Sequence, residues 1–203
     1  MDNLPAGSKR GVVLLVGRAS PGARHSAAGL LEEDAPISDW ALVELYATFM
    51  KLTGELELVR PDRLSDSVNR SERYLLLRNT RAEPLSVNYP VLSRVELRTT
   101  IAKSAVILLC PLEEPVEEPP EGQFRHKLAR QAAFNTIAFS LVGDVHLEPG
   151  ETLQGHLESH PCDFLPLTNV SALWVTAISS ETHAVQRRFA LLNPAAILSF
   201  SDR

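Results

Sequence analysis

Apolar residues return at every second position through two long stretches of this chain. In the first, Tyr46, Thr48, Met50, Leu52, Leu56 and Leu58 share one parity, and in the second Ile137, Phe139, Leu141, Val145 and Leu147 do so. A period of two marks a strand with one buried face. A helix competes over the first stretch, where Ser38 or Asp39 is placed to cap it, Trp40, Val43 and Ala47 share a face, and Gly54 stands as a stop. Two stretches alternating in step decide for strands, bent at Gly54 and Gly143, where glycine tolerates a bulge or a tight bend. The runs Tyr74-Leu-Leu-Leu77 and Phe164-Leu-Pro-Leu167 predict strands that lead into turns at Asn79 and Asn169. Residues 104–109 and 195–200 predict buried strands, and residues 11–17 a further short one. Residues 60–69 predict a turn and a short helix with Leu64 and Val68 inward, while the basic residues 124–131 read as helical.

The pattern also repeats. Set without a gap, residues 74–113 and 164–203 agree at nine of forty positions, among them Leu75 with Leu165, Asn79 with Asn169 and Leu108 with Leu198. One extra residue then aligns Gly54-Glu-Leu-Glu-Leu58 with Gly143-Asp-Val-His-Leu147, and Leu64 with Leu153. Self-similarity at a nearly fixed offset reads as a diverged tandem duplication. The expected fold class is mainly β: two related small β-domains, barrel- or roll-like, in tandem, with short helices and an N-terminal arm. The boundaries are an N-terminal strand and arm over residues 1–36, a first domain over 37–112, a linker over 113–123 and a second domain over 124–203. The linker region 111–122 holds four prolines and five glutamates, which make it extended and self-repelling. Units this small have modest cores alone, so they are expected to pack on each other.

Arg63-Leu-Ser-Asp66, followed by Asn69 and then by Tyr74-Leu-Leu-Leu77, resembles a segment of small bacterial all-β domains of unknown function, similar to Sm-like or roll-type strands. The second copy keeps Phe164-Leu-Pro-Leu167 but carries Leu153-Gln-Gly155 at the polar motif. The resemblance implies a fold and brings no activity with it.

Composition narrows the function classes. The net charge of −5 argues against a phosphate-backbone ligand, which requires a basic face. No apolar run approaches the roughly 18–20 residues that span a bilayer. The first residues carry no positive segment followed by a long apolar one, so a cytoplasmic location is expected. The two cysteines, Cys110 and Cys162, occupy unrelated places in the repeat and read as reduced thiols, with Cys110 inside a strand.

Candidate chemistry is sparse. Gly17-Arg-Ala-Ser-Pro-Gly22 follows a strand as a phosphate loop does, but Ala23 and Arg24 stand where lysine and a hydroxyl are required, and Pro21 removes a donor. His156-Leu-Glu-Ser-His160-Pro-Cys162-Asp163 gathers zinc-ligand types, with His156 and His160 one helical turn apart. Pro161 interrupts that segment and the first copy has no counterpart, so it reads as a solvated loop without metal, with His156, His160 and Cys162 its candidate ligands. Cys162 beside Asp163 lacks the cation that activates a nucleophilic thiol. Arg94, Arg98, Lys103 and Arg187-Arg188-Phe189, with Tyr89, supply charge and aromatics for single-stranded nucleic acid, against a bland role of keeping strand edges soluble. Leu173 and Trp174 replace the polar Glu83-Pro84 of the first copy, which marks Trp174 either as packing between domains or as an anchor for a partner.

The chain thus reads as non-enzymatic and cofactor-free, a scaffold or protein-interaction module whose partner is another protein or its own copies. The alternative is a small-ligand or single-stranded nucleic-acid-binding sensor domain.

Overall fold

The computed structural model describes residues 38–59, 63–70, 72–85, 93–113, 127–175 and 181–202. Among these residues ten strands make one antiparallel sheet: β1 Ser38–Tyr46, β2 Met50–Val59, β3 Tyr74–Pro84, β4 Arg94–Ala102, β5 Leu108–Pro111, β6 Leu128–Thr136, β7 Ser140–Leu147, β8 Leu165–Val175, β9 Thr182–Leu192 and β10 Ile197–Asp202. Two short helices, α1 Leu64–Val68 and α2 Leu153–Ser159, and 3-10 turns at Lys103–Ala105 and Pro194–Ala196 complete the described elements. The protein is mainly β, as the alternation predicted. Strand order is β10-β6-β7-β8-β9-β5-β1-β2-β3-β4, and pairing among the described residues does not close the ends into a barrel. Residues 11–17, the glycine-rich loop after them, Tyr89 and linker residues 114–123 lie outside the described residues.

The bent strand expected over residues 40–58 is instead a hairpin. β1 ends at Tyr46, Ala47 N–H donates to Met50 O across the turn, and β2 returns. Chain reversal changes which residues share a face: Leu52 stands opposite Leu45, and both pack in one core while Tyr46 packs in the other. The even positions from Tyr46 to Leu58 therefore lie on no common face. The second stretch folds likewise, with Phe139 buried and Ile137 71% exposed on the turn between β6 and β7. Thr136 builds that turn, its hydroxyl accepting the N–H of Phe139 at 2.9 Å. Residues 128–131, expected to be helical, form the first part of β6, because pairing with β7 supplies the backbone bonds that local propensity does not.

The bends at Gly54 and Gly143 are β-bulges. Thr53 and Glu55 face Arg81 and Arg78, so Gly54 alone opposes Asn79 and Thr80; Val142 and Asp144 face Ser171 and Thr168, so Gly143 opposes Asn169 and Val170. Asn79 and Asn169 take left-handed backbone angles, with φ of 50° and 52°, which asparagine tolerates better than most residues. Each then donates from its side chain to a neighbouring carboxylate, Asn79 to Glu55 and Asn169 to Asp144. These asparagines are not strand-ending turns: β3 and β8 run through them to Pro84 and Val175. The glycines follow from crowding, since a Cβ on Gly54 would meet Arg78 O at 3.1 Å and one on Gly143 would meet Val170 Cγ2 at 3.2 Å.

Two apolar cores lie along the sheet. One gathers Val43, Leu45, Leu56, Leu64, Val68, Leu75, Leu77 and Ile101, and the other Phe134, Phe139, Leu141, Val145, Leu147, Leu153, Leu165 and Leu167. Neither is filled by one half of the chain. Phe164 and Leu191 complete the first, while Tyr46, Ile107, Leu108 and Cys110 complete the second. Residues 36–203 accordingly form one compact unit.

Candidate functional site: the central seam and the open strand edges

Halfway along the sheet β5 pairs with β9, Leu108 opposite Leu192 and Leu109 opposite Leu191. Successive residues of a strand point to opposite faces, so β5 sends Leu109 into the first core and Leu108 and Cys110 into the second. β9 does the same, with Leu191 in the first core and Ala190 and Leu192 in the second. A strand buried on both faces reads as a continuous apolar run, which is why the sequence here does not alternate. Burial disfavours ionisation of the Cys110 thiol, which is pushed up to about 12, with Arg187 opposing and Glu44 reinforcing the shift.

Polar bonds lock the seam at both sides. Asn69, just past α1, donates to Phe164 O at 2.9 Å and accepts Phe164 N–H at 2.8 Å. Asn193 donates to Lys103 O at 3.1 Å and Val106 O at 2.9 Å. The Lys103 ammonium, 7% exposed, reaches Arg70 O at 2.6 Å and Asp163 at 2.9 Å. Glu44 joins Arg187 across the seam, with the Tyr46 hydroxyl donating to the same carboxylate at 2.8 Å and Lys51 at 3.6 Å. Burial alone would raise the Glu44 pKa, but its bonds to Arg187 and Tyr46 and the charges of Arg187 and Lys51 together hold it below the usual carboxylate range. Glu44, Tyr46, Trp174, His183 and Arg187 line a cleft of about 530 Å³.

The ends of the sheet differ from its middle. β4 exposes Val95 at 77% and Leu97 at 82%, and β10 exposes Leu198 at 71% and Phe200 at 38%. Tyr74, at the start of β3, is 60% exposed. Among the described residues β4 and β10 have no strand on their outer sides, and β4 mixes its apolar residues with exposed Arg94, Glu96 and Arg98, charges of the kind that keep an edge soluble.

The residues singled out by sequence fall as follows. Trp174 is half-buried, packs against Tyr46 and Phe139 with ring centroids 6.2 and 5.7 Å away, and stacks on His183 at 5.3 Å, while Leu173 is exposed. His156 on α2 and His160 at its C-cap stack their rings 4.8 Å apart. Their third neighbour is Glu151; Cys162 is outside the cluster, and its thiol is shifted upward by burial and by Asp163. Glu151 stands immediately before Thr152, the N-cap of α2, and an acidic residue just ahead of a short helix with one histidine inside it and another at its C-cap is the sequence signal that points to this cluster. The Glu148 backbone N–H, more than His156, lowers the pKa of its carboxylate. Of the basic residues named for nucleic acid, Lys103 and Arg187 are engaged within the seam and Arg94 and Arg98 lie exposed on β4. No family model, curated protein or solved structure matches this chain.

Proposed function

We propose that this protein is a non-enzymatic scaffold built from two diverged copies of one five-stranded unit, and that it assembles head to tail with its own copies by repeating the central seam. One observation carries the reading. The seam joins the fifth strand of the first half, β5, to the fourth strand of the second half, β9, and the counterparts of those strands, β10 and β4, are the two ends of the sheet, unpaired on their outer sides among the described residues. Strand orders β5-β1-β2-β3-β4 and β10-β6-β7-β8-β9 run in parallel through the two halves. The bulges at Gly54 and Gly143 and the left-handed Asn79 and Asn169 agree with them.

Pairing partners set the correspondence more closely than sequence identity. Leu77 and Leu167, 90 positions apart, face Thr99 and Ala190, 91 apart; Tyr46 and Asn135, 89 apart, face Leu108 and Ser199, 91 apart. From β4 onward the copies are thus one residue out of the gap-free alignment, and Leu198 corresponds to Ile107. Ile107 is 4% exposed against the second core, and Leu198 is 71% exposed. Phe164 is fully buried in the first core, and its counterpart Tyr74 is 60% exposed. Residues that the seam covers have apolar counterparts that wait uncovered, and a second chain placing β10 on β4 covers both. Such an interface is heterologous, so rotation per subunit decides between a ring and a filament.

Sedimentation velocity on the full chain over a concentration series tests this. Species heavier than the 22.3 kDa monomer are expected to grow with concentration. Leu198→Lys and Tyr74→Ala, both at exposed positions, should each weaken association by about 2 kcal/mol, roughly 30-fold in Kd, with unchanged melting of the monomer. A monomer at every concentration, or variants that assemble like the parent, would sink the proposal.

A further inference from the structure

The geometry points to a divalent transition-metal site of the zinc class formed by Glu151, His156 and His160. Local folding brings the three together. Thr152 caps α2 by accepting Gly155 N–H at 3.1 Å; the helix carries His156, and His160 follows as its C-cap, its N–H donating to His156 O at 3.0 Å, which holds the two rings together four residues apart. Glu151 turns back from just ahead of the cap, placing Oε1 3.0 Å from His156 Nδ1 and 3.5 Å from His160 Nδ1. The three ligand atoms lie within 4.8 Å of one another. Zinc bonds to histidine and carboxylate of about 2.0–2.2 Å in a tetrahedral arrangement set neighbouring donors roughly 3.3–3.5 Å apart. The two distances to the carboxylate are close to that spacing.

Two of the donors are held before any metal arrives. The other Glu151 oxygen accepts Glu148 N–H at 3.0 Å, the Glu151 and His156 side chains are only 16% and 14% exposed, and Leu153, 1% exposed, anchors α2 to the core. Carboxylates oriented by a second hydrogen bond are the usual support for a metal ligand. His160, with a side chain 61% exposed, leaves an open side for the ion. Its Nδ1 also contacts Ser159 Oγ at 2.9 Å, a surface bond given up on ligation through that nitrogen. Three protein donors of the His/His/carboxylate type with one free position suit zinc, cobalt or nickel better than calcium or magnesium, which favour all-oxygen shells. α1 carries neither histidine nor glutamate, so the site belongs to the second half alone. It stands independently of the assembly reading.

Calorimetric titration of the chelator-stripped full chain with zinc chloride, with cobalt(II) absorption as a second readout, tests the assignment. One ion per chain is expected, with a tetrahedral cobalt spectrum. His156→Asn and Glu151→Gln should each weaken binding by about 100-fold or more, since residues that only orient ligands already contribute 10–100-fold. Cys162→Ser should bind as the parent does. No zinc binding, binding retained in a Glu151→Gln/His156→Asn/His160→Asn variant that melts like the parent, or binding lost in Cys162→Ser would each overturn the site.

Discussion

At the scale of single residues, the two bulges are the most demanding positions. Asn79 and Asn169 hold φ near 50°, where an ordinary L-residue is strained by roughly 1–2 kcal/mol. Asn79→Ala and Asn169→Ala are expected to lose about that much in urea unfolding. Asn79→Gly and Asn169→Gly should lose less, because glycine adopts the angle freely and forgoes only the bond to Glu55 or Asp144. Equal losses for alanine and glycine would mean that the side-chain bond, not the backbone, holds the bulge. Sequence alone picked out both asparagines and both glycines as special, yet assigned the asparagines to turns. A left-handed residue serves a turn or a bulge equally well, and only the partner strand tells them apart.

At the scale of elements, the seam depends on a few polar side chains that sit outside the strands. Asn193 precedes the 3-10 turn Pro194–Ala196 and is 5% exposed; it accepts Ala195 N–H at 2.9 Å while donating to two carbonyls at the end of the first half. Asn193→Ala leaves those buried carbonyls without their donor, at about 1–3 kcal/mol. Chemical denaturation should report that loss as a lower midpoint with an unchanged slope. Loss of slope would instead indicate that the halves had begun to unfold separately. The strand positions themselves were legible where one face is wet, as in β3 with buried Leu75 and Leu77 and half-buried Leu76 and Arg78 between and after them. The hairpin turns at 47–49 and 137–139 were not, since neither carries glycine or proline and the alternation runs through them unbroken.

At the scale of the whole molecule, charge couples the two halves through Glu44 and Arg187. The folded pKa of Glu44 is depressed, so its contribution to stability is present above the unfolded carboxylate value of about 4.3 and is lost as pH falls through the lower folded value. The melting temperature should therefore drop on acidification below about pH 4.3, and Glu44→Gln should flatten that part of the profile. A profile unchanged by Glu44→Gln would assign the acid sensitivity to other carboxylates.

Whereas the segment of α2 reads as a loop and residues 128–131 as a helix until their partners are seen, the sequence by itself determined the mainly β character, the place of α1 and the glycines that bend β2 and β7. Each of these rests on a signal confined to a few neighbouring residues: period two, a helix between strands, a residue without a side chain. Tertiary structure decided the rest. That Leu108 and Leu109 serve different cores and that Phe164 is buried while Tyr74 is exposed both depend on which strand comes alongside. Pairing partners are chosen by burial summed over a whole sheet, and residues 60 to 95 positions apart in Lys103–Asp163 and Asn69–Phe164 leave no local trace of it.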